Sequence, residues 1–215
     1  IRVVDLTTAV SGPVAAVILA DQGADVIKIE PPGGDFMRAA GPKSGMNPTF
    51  VACNRGKRSI VLDLKHQGAA EILWRLIESA DVLIQNFRPG AIERLGFGAS
   101  TVAARNPRLV YLSISGVGES GPYSGKRVYD PIIQALGGLA DIQADPQTGR
   151  PRMVRTLIAD KTTAVYAAQA VVAALFSRER TGVGQHVRLS MLDTLVCYLW
   201  PEGMTPFALV DAEPE

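Results

Sequence analysis

Short apolar, β-branched runs alternate with segments of helical period along this chain, and that order limits its fold more than any other feature. Ile1-Arg-Val-Val-Asp-Leu6 reads as a strand, and residues 7–12 as a turn. Residues 13–22 read as a helix, with Pro13 at its first position and Gly23 just past its end. Asp25-Val-Ile-Lys-Ile-Glu30 is the next strand. Consecutive parallel strands need a right-handed helical crossover, so this opening is a compact βαβ unit. The alternation then continues through a strand at 59–64 and an amphipathic helix at 68–80, with Ile72, Leu73, Leu76 and Ile77 inward. A strand at 81–86, short helices at 91–95 and 101–105, and a strand at 108–114 follow. This pattern predicts an α/β fold, a parallel sheet with helices on both faces.

With 215 residues, 47% of them hydrophobic, the chain can bury a substantial core. Twenty-two Lys and Arg against 21 Asp and Glu give a net charge of +1, which argues against nucleic acid or an anionic membrane as partner. Any anionic ligand must be held by local clusters. Cys53 and Cys197 lie far apart with no CxxC, which suits a reducing, cytoplasmic compartment, and His66 and His186 are isolated, which argues against metal catalysis. No apolar run approaches a membrane span, and no basic n-region precedes an apolar stretch at the start. Ile1 already lies within a strand, so a few residues are expected before it. Residues 201–215, rich in Pro and acids, read as a linker leaving a domain that spans residues 1–200.

Asp160 stands between an extended apolar segment and a helix. From Thr162 onward, Val165, Ala168, Val172, Leu175 and Phe176 recur at three- and four-residue steps, predicting a mostly buried helix. At or just before the first turn, unpaired N–H groups and the helix dipole would hold the Asp160 carboxylate ionised. Two readings follow: a simple N-cap, or a nucleophile toward an activated acyl group.

Other stretches also carry two readings. Residues 31–38 follow a strand's carboxyl end, where open α/β sheets bind ligands, and Arg38 there is either an anion-binding fork or a solvated side chain. Asn54-Arg-Gly-Lys-Arg58 is wet surface or, with Arg38, a phosphate grip. Gly116-Val-Gly-Glu-Ser-Gly121 matches GxGxxG, but Pro122, Ser124 and Gly125 keep the chain irregular beyond it. It reads as a loop near the site rather than a dinucleotide turn. The first βα turn, Ser11-Gly12-Pro13, also lacks that fingerprint. Asp130-Pro131 reads as an N-cap opening a helix at 131–139. A polar turn at 178–184, a strand at 186–190 and a helix at 191–200 complete the chain, with no GxSxG elbow and no paired catalytic carboxylates.

Taken in order, several segments resemble the class III CoA-transferase family, which includes formyl-CoA, carnitine and bile-acid CoA-transferases and the α-methylacyl-CoA racemases. They are Val4-Asp-Leu6, Gly12-Pro13, Leu19-Ala-Asp-Gln-Gly-Ala-Asp-Val-Ile-Lys-Ile-Glu-Pro-Pro32, Gly34-Asp35 with Arg38, Asn54-Arg-Gly-Lys-Arg-Ser59 and Leu62-Asp-Leu-Lys65. Further on come Asn86-Phe-Arg-Pro-Gly90, Gly121-Pro-Tyr123, Gln134-Ala135 and Thr181-Gly-Val-Gly-Gln185. The resemblance covers essentially the whole chain. It implies the Rossmann-like large domain of an interlocked homodimer, with a C-terminal portion, including a small domain, lying outside this sequence. It implies acyl-CoA and a small carboxylate as substrates, with no permanently bound cofactor. The implied CoA site comprises Arg38, Leu62, Lys65, Asn86, Phe87 and Arg94, together with Arg127 and Tyr129.

Asp160 matches the family's aspartate. In the implied mechanism it attacks the donor thioester to give a mixed anhydride, CoA thiolate converts this to an aspartyl-CoA thioester, and the acceptor carboxylate takes over the acyl linkage. N–H groups of the loop at 116–121 would stabilise the oxyanions. Family members usually have Gly before the aspartate, whereas this chain has Ala159. The racemase branch places a His before the residue that here is Asp130. Tyr129 stands there instead, and a tyrosine of ordinary pKa is a poor base at neutral pH, so transfer is the favoured expectation over racemisation. A non-catalytic CoA- or nucleotide-binding module, or an NAD enzyme using the 116–121 loop, is the remaining alternative.

Overall fold

A computed structural model describes residues 1–40 and 47–205. Among them, β1 (Arg2–Asp5), β2 (Asp25–Glu30), β3 (Arg58–Val61), β4 (Val82–Gln85), β5 (Val110–Ser115) and β6 (His186–Ser190) form one sheet. Every neighbouring pair is parallel, in the order β3-β2-β1-β4-β5-β6. The helices are α1 (Ser11–Asp21), α2 (Pro48–Asn54), α3 (Gln67–Glu78), α4 (Ala91–Arg94), α5 (Ala99–Arg105), α6 (Asp130–Leu136), α7 (Leu139–Ile142), α8 (Ile158–Thr181), α9 (Met191–Tyr198) and α10 (Trp200–Met204). The predicted α/β architecture is therefore present. Strand order reverses between β1 and β4, so the chains leaving these two strands diverge and open a crevice at their carboxyl ends.

Period-two side chains divide the core between the two faces of the sheet. Val3, Val82, Ile84, Val110 and Leu112 pack with α1 and α8. Val4, Leu83 and Tyr111 face the opposite way, onto Leu73 and Ile77 of α3, Ile92 of α4 and Val102 of α5. A third cluster, built on Ile133, Ala159 and Leu195, ties α6 and α9 to the start of α8.

The buried face of α8 matches the expected one only in part, with Ala168 buried and Leu175 half-buried against the core as the periodicity predicts. Val165, Val172 and Phe176 are 58%, 46% and 62% exposed, while Ala164, Ala167, Ala168, Val171 and Ala174 are buried. Small side chains let α8 lie close against Ala15 and Ala16 of α1, so proximity of backbones rather than bulk selects the inner face. The helix also begins at Ile158, four residues before the expected Thr162.

The basic run at 54–58 is likewise not a free phosphate grip. Arg55 pairs with Asp21, and Arg58 Nη2 lies 2.6 Å from Asp25 Oδ2. Lys57 is buried with its Nζ 2.8 Å from Asp5 Oδ2. Its companion Lys28 is also buried, donating to the Thr7 carbonyl at 2.7 Å and standing 3.0 Å from Asp35 Oδ2. The Lys28–Asp35 pair ties the loop after β2 back to that strand.

Other boundaries shift for local reasons. The helix expected at 131–139 breaks between α6 and α7, where Gly138 adopts φ 82°. Asn54 belongs to α2, capped by Asn47, whose side chain accepts from the Thr49 N–H. The stretch read as a linker from residue 201 begins as α10, and its remaining residues, 206–215, lie outside the described ones. No helix among the described residues is long and apolar enough to cross a membrane.

Candidate active site

The crevice at the β1/β4 switch point is held by a reciprocal amide clasp. Asn86, just past β4, accepts from the Thr8 N–H at 3.0 Å and donates to the Thr8 carbonyl at 2.8 Å. From Thr8 the chain turns sharply at Ala9, the one non-glycine with positive φ (68°) among the described residues, and enters α1 at Ser11. Holding alanine in that region costs about 1 kcal/mol. Gly12 then passes against Thr7, where an added Cβ would lie 2.5 Å from the threonine Cβ. Together these features bring the N-terminus of α1 to the floor of a cleft of about 680 Å³.

Asp160 reaches the same floor from α8. It is the third residue of that helix, not its cap: Leu157 holds the cap position and makes no side-chain capping bond. The Asp160 carboxylate instead accepts from the Ser11 N–H at 3.2 Å, satisfying the open end of α1. Its own backbone N–H donates to Asp130 Oδ2 at 2.9 Å. Burial, followed by the neighbouring Asp130 charge, pushes the Asp160 carboxyl up to about 6, against the opposing pull of Ser11. Helix-terminus stabilisation therefore does not keep this acid fully ionised through the acidic range, as its position alone suggested. Desolvation outweighs it.

Four basic side chains, Arg88, Arg94, Lys126 and Arg127, line the cleft, against a single carboxylate, Asp160. Among the described residues none of the four takes part in an ion pair, in contrast to the paired cations of the 54–58 run. Phe36, Phe87 and Tyr129 add aromatic surface, and Tyr129 is 70% exposed. A smaller recess of about 190 Å³, reaching Glu93 and Glu119, adjoins it along Phe87, Arg88 and Pro89.

The structure thus brings together Asn86, Phe87, Arg94, Arg127, Tyr129 and Asp160 of the expected site residues. Arg38, Leu62 and Lys65 do not line the cleft. Arg38 forms a two-point bond to Glu30, at 2.7 and 2.6 Å, and stacks on Phe50. Leu62 is buried with α3, and Lys65 is solvent-exposed. Gly116 and Gly118 do reach the cleft, but the Gly118 N–H is already taken by Ser115 Oγ at 3.1 Å. Ser11, Arg88 and Lys126 were not singled out from the sequence. Arg88 sits inside the Asn86-to-Gly90 segment and Lys126 adjoins Arg127, so their signal was adjacency to residues that were.

Residues 1–214 match the family model of CoA-transferase family III. The chain belongs to this family. It is 43% identical over 199 residues to the acetyl-CoA:oxalate CoA-transferase of Acetobacter aceti, covering 92% of this chain and 51% of that protein. It is 39% identical over 230 residues to the succinate–glutarate CoA-transferase of Agrobacterium fabrum, covering 100% and 57% respectively. A crystal structure of a CAIB/BAIF family protein from Brucella suis superposes with a TM-score of 0.93 at 37% identity, over 100% of this chain and 58% of that one. The chain therefore spans about half the length of the curated relatives it matches.

Proposed function

We propose that this family III chain is the CoA-binding, acyl-accepting part of a cytoplasmic CoA-transferase, with Asp160 as nucleophile. One observation carries the reading: a lone, half-buried carboxylate at the floor of a cleft whose other charged lining is four cations with no ion-pair partner among the described residues. Those cations suit the phosphates of coenzyme A, and the aromatic side chains suit its base. We include Asn86, Phe87, Arg94, Arg127 and Tyr129 in the CoA site. Arg38, Leu62 and Lys65 would support it from outside the cleft.

The Asp160 carboxylate attacks the donor thioester carbonyl, and the C–S bond breaks to release CoA thiolate, leaving an acyl-aspartyl anhydride. The thiolate then attacks the aspartyl carbonyl, expelling the donor as its free carboxylate and forming aspartyl-CoA. An acceptor carboxylate displaces the thiolate in turn to give a second anhydride. Thiolate attack on the acceptor carbonyl finally yields the new acyl-CoA and restores Asp160. The names of the relatives favour a small carboxylate as acceptor. Exposed Val165, Val172 and Phe176 on α8 support a homodimer in which this face is covered.

The test is a thioester-exchange assay on the full-length protein across small carboxylic acids. Exchange that disappears in Asp160→Ala supports transfer, and exchange that survives it refutes the assignment. Deuterium uptake at the α-carbon of a 2-methylacyl-CoA without exchange would point to racemisation instead.

A further inference from the structure

Asp130 is 1% exposed and lies on α6, 30 residues before Asp160, yet one of its carboxylate oxygens is committed to the start of α8 and the other to Gln134 on its own helix. Oδ2 accepts the Asp160 N–H at 2.9 Å, and Oδ1 accepts Gln134 Nε2 at 2.6 Å. Gln134, also 1% exposed, accepts the Val154 N–H at 2.9 Å and donates toward the Thr156 carbonyl at 3.2 Å. One turn of α6 thereby pins both the segment leading into α8 and the backbone of the nucleophile itself. Leu157 supplies no cap, so Asp130 caps α8 from a different helix.

Resting on the assignment of Asp160 as nucleophile, we propose that Asp130, oriented by Gln134, is a positioning residue that sets the aim and ionisation of the Asp160 carboxylate. A cap on the backbone N–H of residue 160 fixes where its Cα sits. Ser11, on α1, then fixes one carboxylate oxygen. With both ends held, the reacting oxygen has little freedom to leave the cleft, and holding a nucleophile in attack geometry is worth orders of magnitude in rate. A second negative charge one peptide away also delays ionisation of Asp160.

Asp130 is not the only titratable or charged group near that carboxylate. Cys53 on α2 and Lys161 on α8 belong to the same surroundings, as do Arg94, Lys126, Arg127 and Tyr129 across the cleft. Asp130 is distinguished from these by its direct bond to residue 160.

The experiment measures hydroxylamine trapping of the acyl enzyme in the full-length protein, with kcat, KM for acyl-CoA and the pH profile, for wild type, Asp130→Ala and Asp130→Asn. Loss of the cap in Asp130→Ala is expected to slow trapping and lower kcat tenfold or more, with KM changed less than threefold. Asp130→Asn keeps the volume and an acceptor oxygen but not the charge, so its acid limb should move to lower pH while its rate at neutral pH stays closer to wild type. A purely structural cap would lower melting temperature and leave the trapping rate and acid limb of the folded variants unchanged, which overturns the proposal. Should Asp130→Ala not fold, an unmoved acid limb in Asp130→Asn overturns it alone. If wild type itself traps no adduct on Asp160, the nucleophile assignment fails and takes this inference with it. Normal wild-type trapping with unaffected variants sinks this inference only.

Discussion

At the level of single residues, Asp160 carries opposing demands. Its carboxyl is raised to about 6 by burial and by Asp130, so the folded state binds a proton more readily than the unfolded chain between about pH 4 and 6. Stability linked to this group is therefore greatest below about pH 4 and is lost as pH rises through 6. Replacing it with Asn removes that cost at neutral pH while keeping an acceptor for Ser11. Asp160→Asn should thus raise the melting temperature at pH 7.5 by about 2–4 °C and abolish transfer, as calorimetry and the exchange assay would read. Wild-type kcat/KM should rise as pH increases through about 6, when the carboxylate forms.

Glu30 has the opposite sign. Two bonds from Arg38, with help from Ser59 and the Asp35 N–H, pull it down to about 2 despite its burial. Its contribution is present above about pH 4.5 and lost as pH falls toward 2. Arg38→Ala leaves a buried carboxylate without its main partner and should cost about 2 kcal/mol in urea unfolding, a figure below that for a fully buried pair because the arginine is partly exposed. On this geometry the substitution changes stability more than KM for acyl-CoA.

At the level of elements, α8 shows what periodicity alone leaves open. The strands were legible because β-branched runs such as Val3-Val4 and Val82-Leu83-Ile84 suit a sheet buried on both faces. The position of Asp160 near the head of a helix was legible too. The inner face of that helix was legible only at Ala168 and Leu175, because Ala164 and Ala167 are less hydrophobic than Val165, Val172 and Phe176, and only the proximity of α1 makes the smaller residues the buried ones. Ala167→Leu should therefore cost about 1–3 kcal/mol through overpacking. Urea denaturation of that variant against wild type would check the figure. Pairing partners were equally hidden: nothing in the local sequence of the 54–58 run says that Asp5, Asp21 and Asp25 will meet its cations. Nor does local sequence reveal that Asp130, a plain cap by spacing, turns to a helix 30 residues away.

At the level of the whole molecule, the described residues supply a six-stranded parallel sheet and a cationic cleft, and the relatives are about twice as long. The uncovered apolar stripe on α8 is continuous with the proposal that a second copy covers this face. Phe176→Asp should accordingly weaken self-association of the full-length protein, read as a shift toward monomer mass in sedimentation, with little change in far-ultraviolet dichroism.

The central claim is that one aspartate carries the acyl group and returns to a free acid in each cycle. Turnover with an acceptor acid labelled with heavy oxygen in both carboxylate positions tests this directly, because cleavage of the second anhydride at the acceptor carbonyl leaves one labelled oxygen on the enzyme. Peptide mass spectrometry should then find the label on Asp160. Sustained turnover with no label at that residue would contradict the account.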